Sequence, residues 1–294
     1  MTLLRDRDGG SPLRQYVEDR LALVRVKTFL GVAIEVVVGA HLAGPITGHQ
    51  VIRVAGAAFV AGAVTACVNT VNDILDVASD AVNKPHRPLP SGRVGTASAS
   101  RFALVVAVLG LGVAAALGLA EFAVAVALLA SGLLYCVRVR STVIAGNVLV
   151  AVLAGSPIVY GAYVSAHRVT ARVLIATVIL VTFMAAFEVL KTFRDGAADR
   201  AAGYATLATR YDRRYSLGLF AALVLITSAV CLLPVTVRAG PAYFIVIGAG
   251  VIVPTLTTTA LLLYRDGHAT AVLLVLRGMG YSWWPGLLAL GWLM

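Results

Sequence analysis

Lysine is nearly absent from this chain: Lys27, Lys84 and Lys191 are the only three among 24 basic residues, and charged residues of either sign make up 13% of 294. Against so little charge stand 60% hydrophobic residues, where an ordinary soluble domain has roughly 45–50%. Cysteine is as scarce. Cys67, Cys136 and Cys231 stand alone within apolar runs, with no metal-ligand spacing, and read as buried, inert thiols. Polar helix faces are missing as well: FALVVAVLGLGVAAALGLA and FAALVLITSAV offer almost none, which argues against the helices of a soluble core. The first twenty residues mix charges and lack an early apolar stretch, so no cleavable signal is expected.

What is present is a series of apolar runs of about 18 residues or more, the length that crosses a hydrocarbon core of roughly 30 Å. Nine spans are expected, near 24–44, 52–75, 98–118, 121–138, 142–163, 171–192, 214–234, 242–263 and 270–293. The fold class is therefore all-α, a polytopic membrane protein in the lipid bilayer. One domain is expected over 1–294, with 1–20 as a flexible cytoplasmic segment. A net charge of +10 raises nucleic acid as a partner, but the basic residues sit at span ends, so no nucleic acid is expected. With the amino terminus in the cytoplasm, 19 basic residues fall inside, four (Arg53, Arg168, Arg172 and Arg238) fall outside, and Arg277 lies within the last span. That bias supports the odd span count and the orientation. Usage rich in alanine and arginine points to a GC-rich bacterial source, hence a bacterial cytoplasmic membrane.

Two cytoplasmic ends carry the chemistry. NDILDVASDAVNKPHRPLPSG (72–92) sets Asp73, Asp76 and Asp80 after an apolar run, then Lys84 and Arg87. On a continuous helix Asn69, Asn72, Asp73, Asp76 and Asp80 share a stripe about 100° wide. Carboxylates so crowded need positive charge among them, and hard divalent cations, Mg²⁺ above all, choose all-oxygen sites. The spacing excludes an EF-hand. In EVLKTFRDGAADR, Glu188, Thr192, Asp195 and Asp199 fall within about 60°, beside Lys191 and Arg194. Two acidic faces, each next to fixed cations, suit a metalled polyanion. Carboxylates hold the metals, and Lys84, Arg87, Lys191 or Arg194 takes the remaining phosphate charge. A diphosphate head on a site embedded in lipid implies a greasy tail, which describes a prenyl diphosphate.

At these residues the chain resembles the UbiA-type intramembrane prenyltransferases. NDILDVASD fits the family's NDxxDxxxD, NKPHRPLPSG its continuation, DGAAD its second DxxxD motif, and AGYATL the run that follows. The resemblance implies a Mg²⁺-dependent, all-helical enzyme whose two motifs face each other over a central cavity. It implies Asn72, Asp76, Asp195 and Asp199 as metal-site residues, with Asp73 and Asp80 in support. Catalysis would rest on Asp76, Asp195, Asp199 and Lys191. Lys84, Arg87 and Arg194 would bind the diphosphate. The family's tyrosine with lysine four residues on is matched only in part: Tyr135 is present, Val139 stands at the lysine position, and Arg138 or Arg140 is the candidate substitute. An additional acid that the family often has after its second-motif lysine is replaced by Thr192.

Prenyl transfer to a small aromatic acceptor is the expected reaction. Arg25 resembles an arginine of aromatic-acid users and would suit a carboxylate-bearing acceptor. Glu35, an acid in mid-span, and Asn69 complete the candidate substrate-binding residues. A terpene cyclase on the same scaffold is the alternative. An ion-coupled transporter ranks below both, because its acids would sit near the midplane on broken helices rather than at span ends beside arginine.

Overall fold

The computed structural model describes residues 11–201, 203–265 and 268–293. Among them there is helix and loop but no strand. The helices are α1 (Pro12–Val24), α2 (Val26–Ala43), α3 (His49–Leu75), α4 (Val77–Asn83), α5 (Thr96–Leu117), α6 (Leu119–Leu134), α7 (Ala145–Ala166), α8 (Ala171–Ala201), α9 (Leu207–Arg210), α10 (Arg213–Val230), α11 (Pro241–Ile247), α12 (Val253–Tyr264) and α13 (Ala269–Leu290). Of the segment 1–20 expected to be flexible, residues 1–10 lie outside the described part and the chain from Pro12 is helical.

Among the described residues eight helical segments are long and apolar enough to cross a membrane, and each falls within a few residues of an expected span. The ninth, α13, is 22 residues long, but RGMGYSWWP (277–285) dilutes its apolar run. It packs against α8, α11 and α12 and closes the bundle. The outward faces are as apolar as the interior. Leu104, Val105, Val108 and Leu109 form an exposed stripe along α5, a surface that only lipid tails solvate without cost. The protein is integral and multi-pass.

Two features hold the bundle tightly enough to place a site at one end. First, α2 and α7 cross in backbone contact. A Cβ on Gly39 would meet the Ile158 carbonyl oxygen at 1.8 Å, and one on Gly161 would meet the Val36 carbonyl oxygen at 2.0 Å. Helices in lipid gain from such close approach of small residues. Pro157 removes the amide that would serve the Leu153 carbonyl, and Ser156 Oγ donates to that oxygen instead at 2.7 Å.

Second, arginines cap helix ends at the far side of the bundle. Arg53 donates to the Leu117 carbonyl at the end of α5 (2.9 Å), to Val164 of α7 (3.2 Å) and to the buried Glu121 (2.6 Å). Arg168 Nε donates to the Ala43 carbonyl at the end of α2 (2.9 Å). Two of the four basic residues that run against the charge bias thus serve orphan carbonyls at helix C-termini.

The crossing predicts opposite outcomes for two glycine substitutions. Gly39→Ala is expected to lower stability by ~2 kcal/mol or more, because its neighbour is backbone and cannot give. Gly112→Ala in α5, where nothing lies within 4 Å, is expected to be neutral or to gain up to ~1 kcal/mol. Thermal midpoints of the detergent-solubilised variants check both.

Candidate active site

The first acidic segment does not remain one helix. α3 ends at Leu75, Asp76 takes φ −98° and ψ 7°, and α4 begins at Val77. The break corrects the expected single stripe. Asn72, Asp76 and Asp80 line a cavity of ≈ 340 Å³, whereas Asn69 and Asp73 stand behind it and pair with Arg25, which does line it. Arg25 joins α1 to α2 in the left-handed region (φ 54°, ψ 65°), a conformation that costs a non-glycine residue about 1 kcal/mol. Its guanidinium compensates by donating to Asn69 Oδ1 (3.2 Å) and to Asp73. Arg87 donates to Asp73 at 3.0 Å and to Asp80 at 2.8 Å, and Lys84 donates to Asp80 at 2.9 Å. Asp73 and Asp80 are both nearly buried. Asp73 thus pairs with two arginines of the site, and Asn69 with one of them.

The second acidic segment stays helical through α8. Glu188, Lys191, Thr192, Arg194, Asp195 and Asp199 all line the same cavity. Lys191 donates to both oxygens of Glu188 (2.7 and 2.9 Å), and Arg194 grips Asp195 in a two-pronged pair (2.7 and 2.8 Å). Asp199 has no ion-pair partner among the described residues, and burial pushes its carboxyl above the ordinary range. Burial does the same to Asp76, outweighing the opposing effect of Arg140.

Between these walls comes a third element that settles the tyrosine spacing. After α6 the chain forms a π turn over Tyr135–Val139, with the Arg140 amide donating to the Tyr135 carbonyl at 2.9 Å. A π turn adds one residue to the helical register, so the side chain that follows Tyr135 on one face is five residues on rather than four. Arg140 accordingly lines the cavity with Tyr135 and pairs with Asp76. Arg138 is exposed and does not line it.

Glu35 does not line this cavity either. It lies about 15 Å further along the α2 axis than Arg25, fully buried, with neither carboxyl oxygen hydrogen-bonded.

Several lining residues escaped the sequence reading: Ser79, Thr142, Val143, Tyr204 and Thr206. Tyr204 is the most telling. Gly203 (φ +71°) turns the chain back after α8, the Tyr204 amide donates to the Asp199 carbonyl (2.9 Å), and the phenol accepts from Arg140. The AGYATL run was the available signal.

The cavity thus joins five acids (Asp76, Asp80, Glu188, Asp195 and Asp199) with six cations (Arg25, Lys84, Arg87, Arg140, Lys191 and Arg194) at one end of an apolar bundle. Among the described residues no three acidic, histidine or cysteine side chains converge to hold a metal by themselves.

A model of the UbiA prenyltransferase family matches residues 32–284. The chain belongs to that family. As a UbiA prenyltransferase it is an integral membrane enzyme. It is 36% identical over 207 residues to a digeranylgeranylglyceryl phosphate synthase of Methanopyrus kandleri, covering 70% of this chain and 72% of the relative. It is 34% identical over 219 residues to one of Halobacterium salinarum, covering 74% and 78%. A solved structure of a digeranylgeranylglyceryl phosphate synthase superposes with TM-score 0.72 at 25% identity, covering 94% of this chain and 97% of that one. A UbiA homologue of Archaeoglobus fulgidus, solved with GPP and Mg²⁺, shares the fold with TM-score 0.64 at 18% identity, covering 92% and 99%.

The π turn yields a paired test. Arg140→Ala is expected to lower kcat/KM by ~100-fold, as loss of a fixed charge at a reacting centre does, while Arg138→Ala stays within about twofold of the parent. Diphosphate release from a prenyl diphosphate measures both.

Proposed function

We propose that this enzyme transfers a prenyl group from an allylic prenyl diphosphate to an alcohol oxygen, with Mg²⁺, at the cytoplasmic face of the membrane. The observation that carries the reading is the meeting of Asp76 with Asp195 and Asp199, from segments more than a hundred residues apart, in one cation-rich cavity at the end of a lipid-exposed bundle. A diphosphate fits the cations, and its hydrocarbon tail fits the surrounding spans. Orientation follows the excess of basic residues on the cavity side, and the bacterial assignment follows the composition.

The donor set suits Mg²⁺. Asn72, Asp76, Asp195 and Asp199 offer hard oxygens from both walls. Magnesium is characteristically held by one or two carboxylates together with substrate phosphates rather than by an all-protein cage, in keeping with the dispersed acids here. Bound there, it supplies Lewis-acid stabilisation of the departing diphosphate.

The chain's own residues do the rest. Lys84, Arg87, Lys191 and Arg194 set positive potential where negative charge grows as the allylic C–O bond breaks and its electron pair leaves with the diphosphate oxygen. Tyr135 presents an aromatic ring to the cavity that can face the allyl cation. The acceptor oxygen then attacks the cation carbon, and its proton passes to the departing diphosphate. Packed apolar side chains below the cavity exclude water, which would quench the cation.

The aromatic acceptor expected from sequence gives way to an alcohol. The relatives at 36% and 34% identity are named for a product carrying geranylgeranyl groups on a glyceryl phosphate. The cation excess in the cavity supports an acceptor that itself bears phosphate.

Product analysis with C10, C15 and C20 diphosphates decides the matter. Supplied with a prenylglyceryl phosphate, the protein is expected to form an ether, with none formed in Asp76→Ala or Asp199→Ala. A prenylated aromatic acid in its place would restore the aromatic reading. A cyclic hydrocarbon without acceptor would establish a cyclase.

A further inference from the structure

Resting on the metal–diphosphate reading of the cavity, we propose that Arg140 is a displaceable stand-in for the metal, holding the two walls together until metal and diphosphate arrive jointly. Its guanidinium occupies the bridging position. One nitrogen, Nη1, pairs with Asp76 of the first motif. The other, Nη2, donates to the phenol of Tyr204, over whose ring the guanidinium carbon lies at 4.9 Å. Tyr204 is tied through its amide to the carbonyl of Asp199, the far end of the second motif. A single cation therefore links Asp76 of the first motif to the segment bearing Asp199 of the second.

Both oxygens of Asp76 already accept a hydrogen bond in this state. Arg140 holds Oδ1, and Asn72 donates its amide to Oδ2 at 2.8 Å. A divalent ion ligating Asp76 would set its charge against the guanidinium that Asp76 already holds, and like-charge repulsion favours departure of Arg140. If metal binds alone, the released guanidinium is left beside a divalent cation with its carboxylate taken, an arrangement like-charge repulsion opposes. If diphosphate binds with the metal, its oxygens receive the guanidinium, and every charge keeps a partner. Metal and diphosphate must then bind cooperatively, each tightening the other by the same factor. Arg140 is the residue through which they are coupled, and Tyr204 steadies it in the unloaded position.

The test is Mn²⁺ binding, read as free Mn²⁺ by electron paramagnetic resonance, on the full-length protein in nanodiscs with and without inorganic pyrophosphate. In the parent, Mn²⁺ alone is expected to bind weakly and pyrophosphate to tighten it by about tenfold or more, the scale of one charge-assisted hydrogen bond. In Arg140→Gln, Mn²⁺ alone is expected to bind several-fold more tightly than in the parent, with the pyrophosphate effect reduced. Arg140→Lys, which keeps the cation, is expected to behave as the parent and guards against a folding artefact. Tyr204→Phe is expected to fall between parent and Arg140→Gln. Mn²⁺ binding in Arg140→Gln that is no tighter than in the parent, while pyrophosphate still tightens both, would overturn the stand-in role and leave the metal–diphosphate site intact. No Mn²⁺ binding by the parent even with pyrophosphate would overturn the site and the stand-in role with it.

Discussion

Charge matching at the end of an apolar bundle is the constraint on which the structure turns. A carboxylate taken from water without a partner costs several kcal/mol even after relaxation. Asp73, Asp76, Asp80, Glu188 and Asp195 are each met by a cation of the chain: Arg25 and Arg87, Arg140, Lys84 and Arg87, Lys191, and Arg194. The demand for partners shapes the backbone. It keeps Arg25 in a left-handed conformation and draws the 84–95 loop across the end of α3 and α4, where Leu89 and Val94 bury themselves against Leu23 and Ala99. Arg93 fastens the same loop to Asp19 of α1 at 2.9 Å.

The bundle below supplies the complementary property. Backbone polar groups have no water to bond in hydrocarbon, so only closed hydrogen-bonding arrangements such as helices span it. Where α5, α7 and α2 end at the far side, Arg53 and Arg168 serve their terminal carbonyls. One end of the molecule is thus sealed by capping arginines, and the other is left concave and charged. A molecule with a polyanionic head and a hydrocarbon tail is the kind of ligand that satisfies both environments at once. An enzyme for it need bring only metal ions and a second substrate to the boundary.

Much of this was legible in the chain. The spans were visible because crossing hydrocarbon demands a run of apolar residues of set length, a local property. The two acidic clusters were visible because a helix repeats every 3.6 residues, so Asp195 and Asp199 must share a face wherever α8 lies. Asp73 fits the same spacing, but that it pairs with Arg25 and Arg87 and does not line the cavity leaves no mark in composition. Glu35 was flagged by its cost in the membrane, yet its depth relative to the cavity depends on where neighbouring helices cross.

The sequence by itself therefore determined class, spans, motif residues and the balance of charge, all of which depend on residue type and short-range spacing. Only the tertiary structure decided which acid meets which cation, that Arg140 rather than Arg138 enters the site, and that Tyr204 lines it beside Arg140. Those outcomes hang on a one-residue register change after Tyr135 and on contacts between segments some 60 residues apart, such as Asp76, Arg140 and Tyr204. Through-space distances of that kind arise from packing the whole bundle, and no local pattern encodes them.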